Sequence, residues 1–366
     1  MMPSIRRLAL ASAFAFASHS LQPAQAGALD EWRRIQAAPQ QGYPCPRASG
    51  AIVIDGQLND AAWSSAPWTA EFQDIEGAAK PHPSLPTRAK MLWDDRYFYI
   101  GARLTEPHVW GTITQRDAVI FHDNDFEVFI DPDGDGHQYY EFEMNALNTG
   151  WDLRLVKPYI SGGPALNEWN IEGLQTAVHV DGTLNNPGDT DRSWSVEIAI
   201  PWKALQEFSP APCPPRPGDR WAVNFSRVEW QTEIVDGKYR KVPNRREDNW
   251  VWSPTGIIDM HRPERWGVVE FTRAGQGRTK VSVGPVEKAR EQMQAVFYAQ
   301  RAHHERHGRF AANAADLDLA RVPGAPKASD LRLDMVAGSY VASIPVQNIR
   351  GKSRAFIQPD GLFRIE

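Results

Sequence analysis

The sequence predicts an all-β antiparallel sandwich, jelly-roll-like in type, followed by a small C-terminal α+β appendage. Between residues 49 and 274, apolar and polar side chains alternate over short runs with no helical segments between them, as in half-buried strands. The chain also carries 27 glycines and 28 prolines, which are typical of turns. After about residue 275 the pattern changes to a helix-period stretch, which predicts a second unit over residues 280–366.

The first 26 residues have the pattern of a secretory signal peptide. Arg6 and Arg7 precede a short apolar run, and Ala24-Gln25-Ala26 supplies a small-x-small cleavage pattern before Gly27. The apolar run is well short of the ~20 residues that a bilayer span needs, so we expect no membrane span. The sequence therefore predicts an exported protein, periplasmic or extracellular, with residues 27–48 as a linker that contains a short helical stretch.

The sandwich region divides into strands that each place apolar side chains on one face. One face should form the core and the other should be polar and wet, as in antiparallel sheets generally. The predicted strands are 52–54, a hairpin over 89–104, 125–131, 140–146, 193–200, 221–226 and 267–271. In the appendage we expect a helix over 287–307, strands over 331–336 and 340–344, and a hairpin over 354–365.

Charge and cysteine content narrow the possible functions. The net charge is -5, so no basic excess favours nucleic acid as a partner. The two cysteines, Cys45 and Cys213, lie in proline-rich stretches. An oxidising compartment permits a disulfide between them, and two separate thiols are the alternative.

The sharpest local motif is an acidic loop over residues 131–136. Asp131, Asp133 and Asp135 alternate with Pro, Gly and Gly, a spacing that can turn carboxylate oxygens around a hard cation. Phe142 stands where an EF-hand would have its glutamate, and strands flank the loop, so it is not an EF-hand. The motif predicts a structural calcium site, and a solvated acidic turn is the alternative.

Paired carboxylates raise the possibility of an enzyme. Glu127, Glu141 and Glu143 fall on one predicted sheet face, and a glycoside hydrolase needs two carboxyl groups roughly 5 to 10 Å apart. A polar, solvent-facing sheet surface explains the same residues without catalysis. Non-covalent haem, with Met144 or a histidine as ligand, is a third possibility, although the covalent Cys-x-x-Cys-His signature is absent.

Tryptophan is unusually frequent, with 14 residues. An indole can stack on the apolar face of a sugar ring and keep its N–H as a polar handle. Trp151 and Trp252 fall in or near predicted turns, where stacking on a ligand is plausible, whereas Trp194 and Trp221 fit core faces of strands.

Several motifs, in order along the chain, resemble carbohydrate-binding module family nine. They are Val53-Ile54-Asp55-Gly56, Asp60-Ala61-Ala62-Trp63, the segments 92–100, 124–132 and 194–202, and Trp266-Gly267. The resemblance covers roughly residues 50–272. It implies a β-sandwich, bound calcium in some members, and association with glycan-degrading enzymes such as xylanases.

The resemblance also implies a sugar site, which this sequence matches only in part. Xylanase-linked members clamp a terminal sugar between two tryptophans. By position, Phe121 stands for the first tryptophan, Glu127 for a glutamate, and Glu143 for an arginine. Ser226 stands for a glutamine, and the second tryptophan falls near Met260-His261.

We therefore expect a secreted, non-catalytic protein that binds a poly- or oligosaccharide in a way of its own. The expected hydrogen-bonding side chains on the sheet face are Glu127, Glu143 and Asn145. Trp151, Trp252 and His261 are candidates for the wall of a different pocket. Calcium is the one expected cofactor.

Overall fold

The computed structural model describes residues 27–275, 281–349 and 351–366, so the expected signal peptide lies outside the described residues. The described helices are α1 (Ala28–Ala37), α2 (Trp202–Leu205) and α3 (Pro285–His307). The strands of the first half are β1 (Gly42–Pro46), β2 (Gln73–Asp74), β3 (Thr87–Trp93), β4 (Tyr97–Thr105), β5 (Asp125–Asp131), β6 (Tyr139–Asn145), β7 (Gly150–Leu155), β8 (Ala165–Leu166) and β9 (Gln175–Asp181). Those of the second half are β10 (Ser193–Pro201), β11 (Arg220–Glu229), β12 (Thr232–Val235), β13 (Lys238–Lys241), β14 (Asp248–Val251), β15 (Gly267–Thr272), β16 (Arg332–Val336), β17 (Ser339–Ile349), β18 (Lys352–Ile357) and β19 (Phe363–Ile365).

Two sheets form the predicted β-sandwich. The larger sheet runs β1-β15-β11-β5-β6-β7-β8, with β14 and β2 as a side branch, and the smaller runs β3-β4-β10-β9. Pairings in both sheets are antiparallel except β1 with β15, which is parallel. Inward side chains such as Phe126, Ile100 and Val196 are fully buried between the sheets. The alternation that predicted the fold is thus the alternation between this core and the outer face.

Short polar signals set where these strands begin and end. The Asp94 carboxylate accepts backbone N–H bonds from Arg96 (2.7 Å) and Tyr97 (2.8 Å), which makes the tight β3–β4 turn. Pro201 ends β10 because it supplies no N–H to a neighbouring strand.

A buried glutamate anchors the Asp55-Gly56 turn to the smaller sheet. The Glu197 carboxylate accepts N–H bonds from the backbones of Asp55, Gly56 and Leu58 and from the Trp63 indole, at 2.8–3.1 Å. Gly56 has φ +85°, and a Cβ there would lie 2.6 Å from the backbone N of His179. The turn motif, the tryptophan and the strand glutamate therefore form one structural unit.

The segment expected to be a linker is instead structured, which corrects the prediction for residues 27–48 and the sandwich boundary at 49. Only the helical stretch around Trp32 was expected. α1 packs against α3, and β1 adds an edge strand to the larger sheet through its register with β15. Trp32 and Cys45 have no exposed surface, so burial holds the segment in place. The pattern was missed because β1 contains two prolines, which argue against a strand in the sequence but are tolerated at a sheet edge.

The appendage consists of α3 packed across the sheet β16-β17-β18-β19. α3 begins after Gly284, whose backbone N–H donates to the Glu287 carboxylate at 2.7 Å. It ends at His307, and Gly308 follows with φ 66°. The helix and the final hairpin agree closely with the sequence prediction. The appendage core also takes in Trp32 and Ile35 of α1.

Two further expectations concern cysteines and membranes. Cys45 is buried and Cys213 half-buried, and both are free thiols rather than a disulfide. Within the described ranges, no helix combines the length and apolar character required to cross a bilayer.

Candidate functional site

The outer side of β5, β6 and β11, here called the polar face, carries a cluster of carboxylates. Glu127 lies directly opposite Glu143 across β5 and β6, and opposite Ser226 across β5 and β11. Asp125 precedes Glu127 by two residues on the same face, and Glu141 stands in the same relation to Glu143. We call Asp125, Glu127, Glu141 and Glu143 the carboxylate cluster.

These carboxylates are nearly closed off from solvent. Exposure falls from 6% at Glu127 to 5% at Glu141, 2% at Glu143 and 0% at Asp125. Burial raises the pKa of Glu127 to about 7, with a hydrogen bond from Ser226 opposing the shift. Burial and mutual repulsion also raise the pKa values of the other three well above the ordinary range. The cluster therefore holds negative charge reluctantly unless a donor or a cation compensates it.

Two exposed aromatic rings flank the cluster. Phe121 is 36% exposed, and its backbone N–H donates to Glu143 Oε2 at 3.1 Å. Tyr159 is 51% exposed and lies near enough to Glu141 and Glu143 that their charges help raise its pKa, after burial, to about 12. Trp151 is half-buried and paired with Glu143 across β6 and β7. Tyr159 was absent from the sequence prediction, because its loop position gives no sign of which strands it approaches.

Asn145 performs a structural task. Its amide nitrogen donates to the Ile113 carbonyl and the Asp123 carboxylate, both at 2.9 Å. Its oxygen accepts N–H bonds from Leu147 (3.1 Å) and Thr149 (3.0 Å). All four hydrogen-bonding positions of the side chain are used internally, so Asn145 has none left for a ligand.

Trp252 is not a surface residue, and its expected role in binding is wrong. The indole is 1% exposed and lies in the core between the sheets. It packs against Tyr43 and Phe225, with ring centroids at 6.2 and 5.8 Å, and a Cβ on Gly267 would lie 2.5 Å from its ring. Trp252 directly follows β14, and its side chain points into the core. A prediction that this position lies in a turn does not say whether the side chain is buried. Met144, considered as a haem ligand, is fully buried in the same core.

His261 lies beside the polar face and also lines a small cavity that is bounded by Phe297 of the appendage. Its Nδ1 and the Tyr139 hydroxyl share a hydrogen bond of 2.9 Å, and its ring meets Tyr159 edge-on at 4.5 Å. Burial lowers the pKa of His261 to about 4, so the ring is neutral at pH 7. We infer that His261 positions Tyr159 at the rim of the polar face.

The acidic loop lies away from the cluster, at the contact with the appendage. One oxygen from each of Asp131, Asp133 and Asp135 falls within 4.8 Å of the others. The Asp131 carboxylate accepts N–H bonds from Gly134 (2.8 Å) and Gly136 (3.0 Å). Arg290 of α3 approaches so closely that a Cβ on Gly134 would lie 2.2 Å from its guanidinium. A calcium ion there would share the loop with this cation.

The fold and the polar face together define a β-sandwich binding domain, with the ligand site expected on one sheet face. A family model described as carbohydrate family 9 binding domain-like matches residues 54–272. The chain belongs to this family, which confirms the resemblance seen in the sequence. The family binds carbohydrate, and this supports a binding role rather than a catalytic one.

Curated relatives are modular enzymes that this chain matches over a small part of their length. It is 24% identical over 156 residues to exoglucanase XynX of Acetivibrio thermocellus, covering 43% of this chain and 12% of the relative. It is also 24% identical over 156 residues to endo-1,4-beta-xylanase A of Thermoanaerobacterium saccharolyticum, covering 43% of this chain and 11% of that relative. The chain thus spans about an eighth or less of the curated relatives it matches.

Similar solved structures include a carbohydrate binding module family 9 from Caldicellulosiruptor kristjanssonii in complex with cellotriose. The similarity has a TM-score of 0.41 and 15% identity, and covers 66% of this chain and all of that one.

Proposed function

We propose that this protein is exported and binds a poly- or oligosaccharide through its polar face without cleaving it. The observation that carries the proposal is the pair of exposed rings, Phe121 and Tyr159, at the edge of the polar face beside the carboxylate cluster. Stacking aromatics beside hydrogen-bonding groups are what a polar ring with apolar C–H faces requires. We expect dissociation constants of about 10 µM to 1 mM, because the sugar gives up well-solvated hydroxyls on binding.

Loss of one rim aromatic should weaken glycan binding measurably. We expect Tyr159→Ala to weaken it about three- to tenfold, since a stacking contact contributes roughly 0.5–1.5 kcal/mol. Tyr159→Phe keeps the ring and should bind like the parent. The measurement is affinity electrophoresis or calorimetry against plant and microbial polysaccharides, with Phe121→Ala as a second variant.

A matched control removes an exposed apolar side chain elsewhere. Ile234 is 55% exposed on the β12–β13 hairpin, and Ile234→Ala should leave binding unchanged. The proposal is wrong if the parent binds no polysaccharide in the screen, or if both rim variants bind as well as the parent.

A glycoside hydrolase acting through Glu127 and Glu143 is the alternative function. One oxygen of each lies within 4.8 Å of the other, near the separation that retaining enzymes use. Against it, both are at most 6% exposed, and a catalytic carboxyl must contact the glycosidic oxygen or the anomeric carbon. Release of reducing sugar from xylan or glucan, lost in Glu127→Gln, would favour the hydrolase.

Calcium at the acidic loop remains a proposal, supported by the convergence of Asp131, Asp133 and Asp135. We expect millimolar calcium to raise the melting temperature, because a ligand bound only to the folded state stabilises that state. Replacing the exposed loop residue in Asp133→Asn should reduce this rise, because it removes one carboxylate ligand. An equal rise in parent and variant would assign the effect elsewhere. No rise in either would remove calcium from the loop.

A further inference from the structure

The carboxylate cluster has no cationic partner in the described part of the chain. None of Asp125, Glu127, Glu141 and Glu143 forms an ion pair with a lysine, arginine or histidine there. Buried charges in proteins are normally paired or coordinate metals. Keeping these four buried carboxylates ionised therefore costs folding free energy unless a cation compensates their charge.

Two oxygens of the cluster are also left without hydrogen bonds. Asp125 Oδ1 accepts from the backbone N–H of Val228 at 3.2 Å, but Asp125 Oδ2 is buried and unpartnered. Glu141 Oε2 is likewise buried and unpartnered. Most buried polar atoms have a hydrogen-bond partner, and a buried polar atom without one costs roughly 1–3 kcal/mol of folding free energy. Such atoms point to a bound group that supplies positive charge.

The geometry fits a single ion. Asp125, Glu127 and Glu143 each offer one oxygen, and the three lie within 4.8 Å of one another. Ligands on opposite sides of Ca²⁺, each about 2.4 Å from it, are about 4.8 Å apart. The donors are all carboxylate oxygens, which suit hard cations and not the softer metals that prefer nitrogen or sulfur.

The burial of the carboxylates favours an ion over a sugar ring as the group that contacts them directly. The three carboxylates are 0–6% exposed, so a pyranose ring cannot contact them all, whereas an ion can lie among them. We propose that the polar face holds a hard divalent cation of the calcium class between Asp125, Glu127 and Glu143, and that this ion presents its open side to glycan hydroxyls. The second clause rests on the proposed function, and the first stands without it.

The test measures cation binding and glycan binding separately on the full chain. Calcium chloride is titrated by calorimetry into protein stripped with EDTA, using the parent, Asp125→Asn and Asp133→Asn. Asp125→Asn keeps a carbonyl oxygen for the Val228 N–H, so we expect it to fold. Loss of a ligand should weaken calcium binding at this site at least about tenfold, and Asp133→Asn should leave it unchanged.

Each outcome decides one part of the proposal. Equal calcium isotherms for the parent and Asp125→Asn would overturn the cation site. If calcium binding is weakened in Asp125→Asn but not in Asp133→Asn, and EDTA abolishes polysaccharide binding in the parent, both clauses stand. If calcium binds at the cluster and polysaccharide binding survives EDTA, the link to the sugar is wrong while the sugar site remains. Absence of polysaccharide binding with and without calcium would refute the proposed function, and the calcium isotherms would still judge the ion.

Discussion

Replacing Glu197 with alanine is expected to lower the free energy of unfolding by about 3–5 kcal/mol. The carboxylate accepts four hydrogen bonds and has no exposed surface. Its removal leaves the backbone N–H groups of Gly56 and Leu58 and the Trp63 indole N–H without this acceptor, while the Asp55 N–H keeps the Val53 carbonyl. Urea unfolding followed by tryptophan fluorescence measures the change.

A matched variant separates hydrogen bonding from charge. Glu197→Gln retains one oxygen acceptor, so it should recover part of the loss. Ser64→Ala, on the surface beside Trp63, should change stability by no more than about 0.5 kcal/mol. An unfolding midpoint for Glu197→Ala equal to that of the parent would show that the turn is held by other contacts.

Replacing Trp32 with alanine should cost about 3–5 kcal/mol, since a fully buried tryptophan leaves a large cavity. Its ring stacks on Tyr298 of α3 with centroids 5.1 Å apart, and its indole N–H donates to the Pro323 carbonyl at 2.8 Å. Trp32→Phe keeps an aromatic ring and should cost less. Scanning calorimetry should show the appendage unfolding at a lower temperature in Trp32→Ala.

The control for this variant lies on the same helix. Arg33 is exposed on α1 and its guanidinium donates to the exposed Asp30 carboxylate, so Arg33→Ala should leave the melting temperature nearly unchanged. If Trp32→Ala and Arg33→Ala melt alike, α1 does not stabilise the appendage.

Strands with a strict two-residue alternation were predictable from the sequence. The prediction of 125–131 coincides with β5, and that of 193–200 differs from β10 by one residue. These strands are central, with one face in the core and one outside, so their burial repeats with the pleat. The carboxylates of β5 and β6 were placed on a common face for the same reason.

Features that depend on contacts distant in sequence were not predictable. Trp252 follows a strand and reads as a turn residue, yet the path of the chain carries it between the sheets. Tyr159 reaches the polar face through a loop that no periodicity describes. The depth of the carboxylate cluster is also invisible in the pattern, because alternation assigns a face but not what covers it.

The placement of residues 27–48 has a consequence for how the molecule is assembled. β1 pairs with β15, a strand more than 220 residues later in the sequence, and α1 packs against α3, which begins later still. Neither the sandwich nor the appendage can complete its packing until nearly the whole chain is available. These contacts between distant parts of the sequence favour slow folding. Removing residues before 49 to isolate the sandwich would delete the edge strand β1 and expose the unpaired backbone groups of β15. An exposed strand edge of this kind favours self-association.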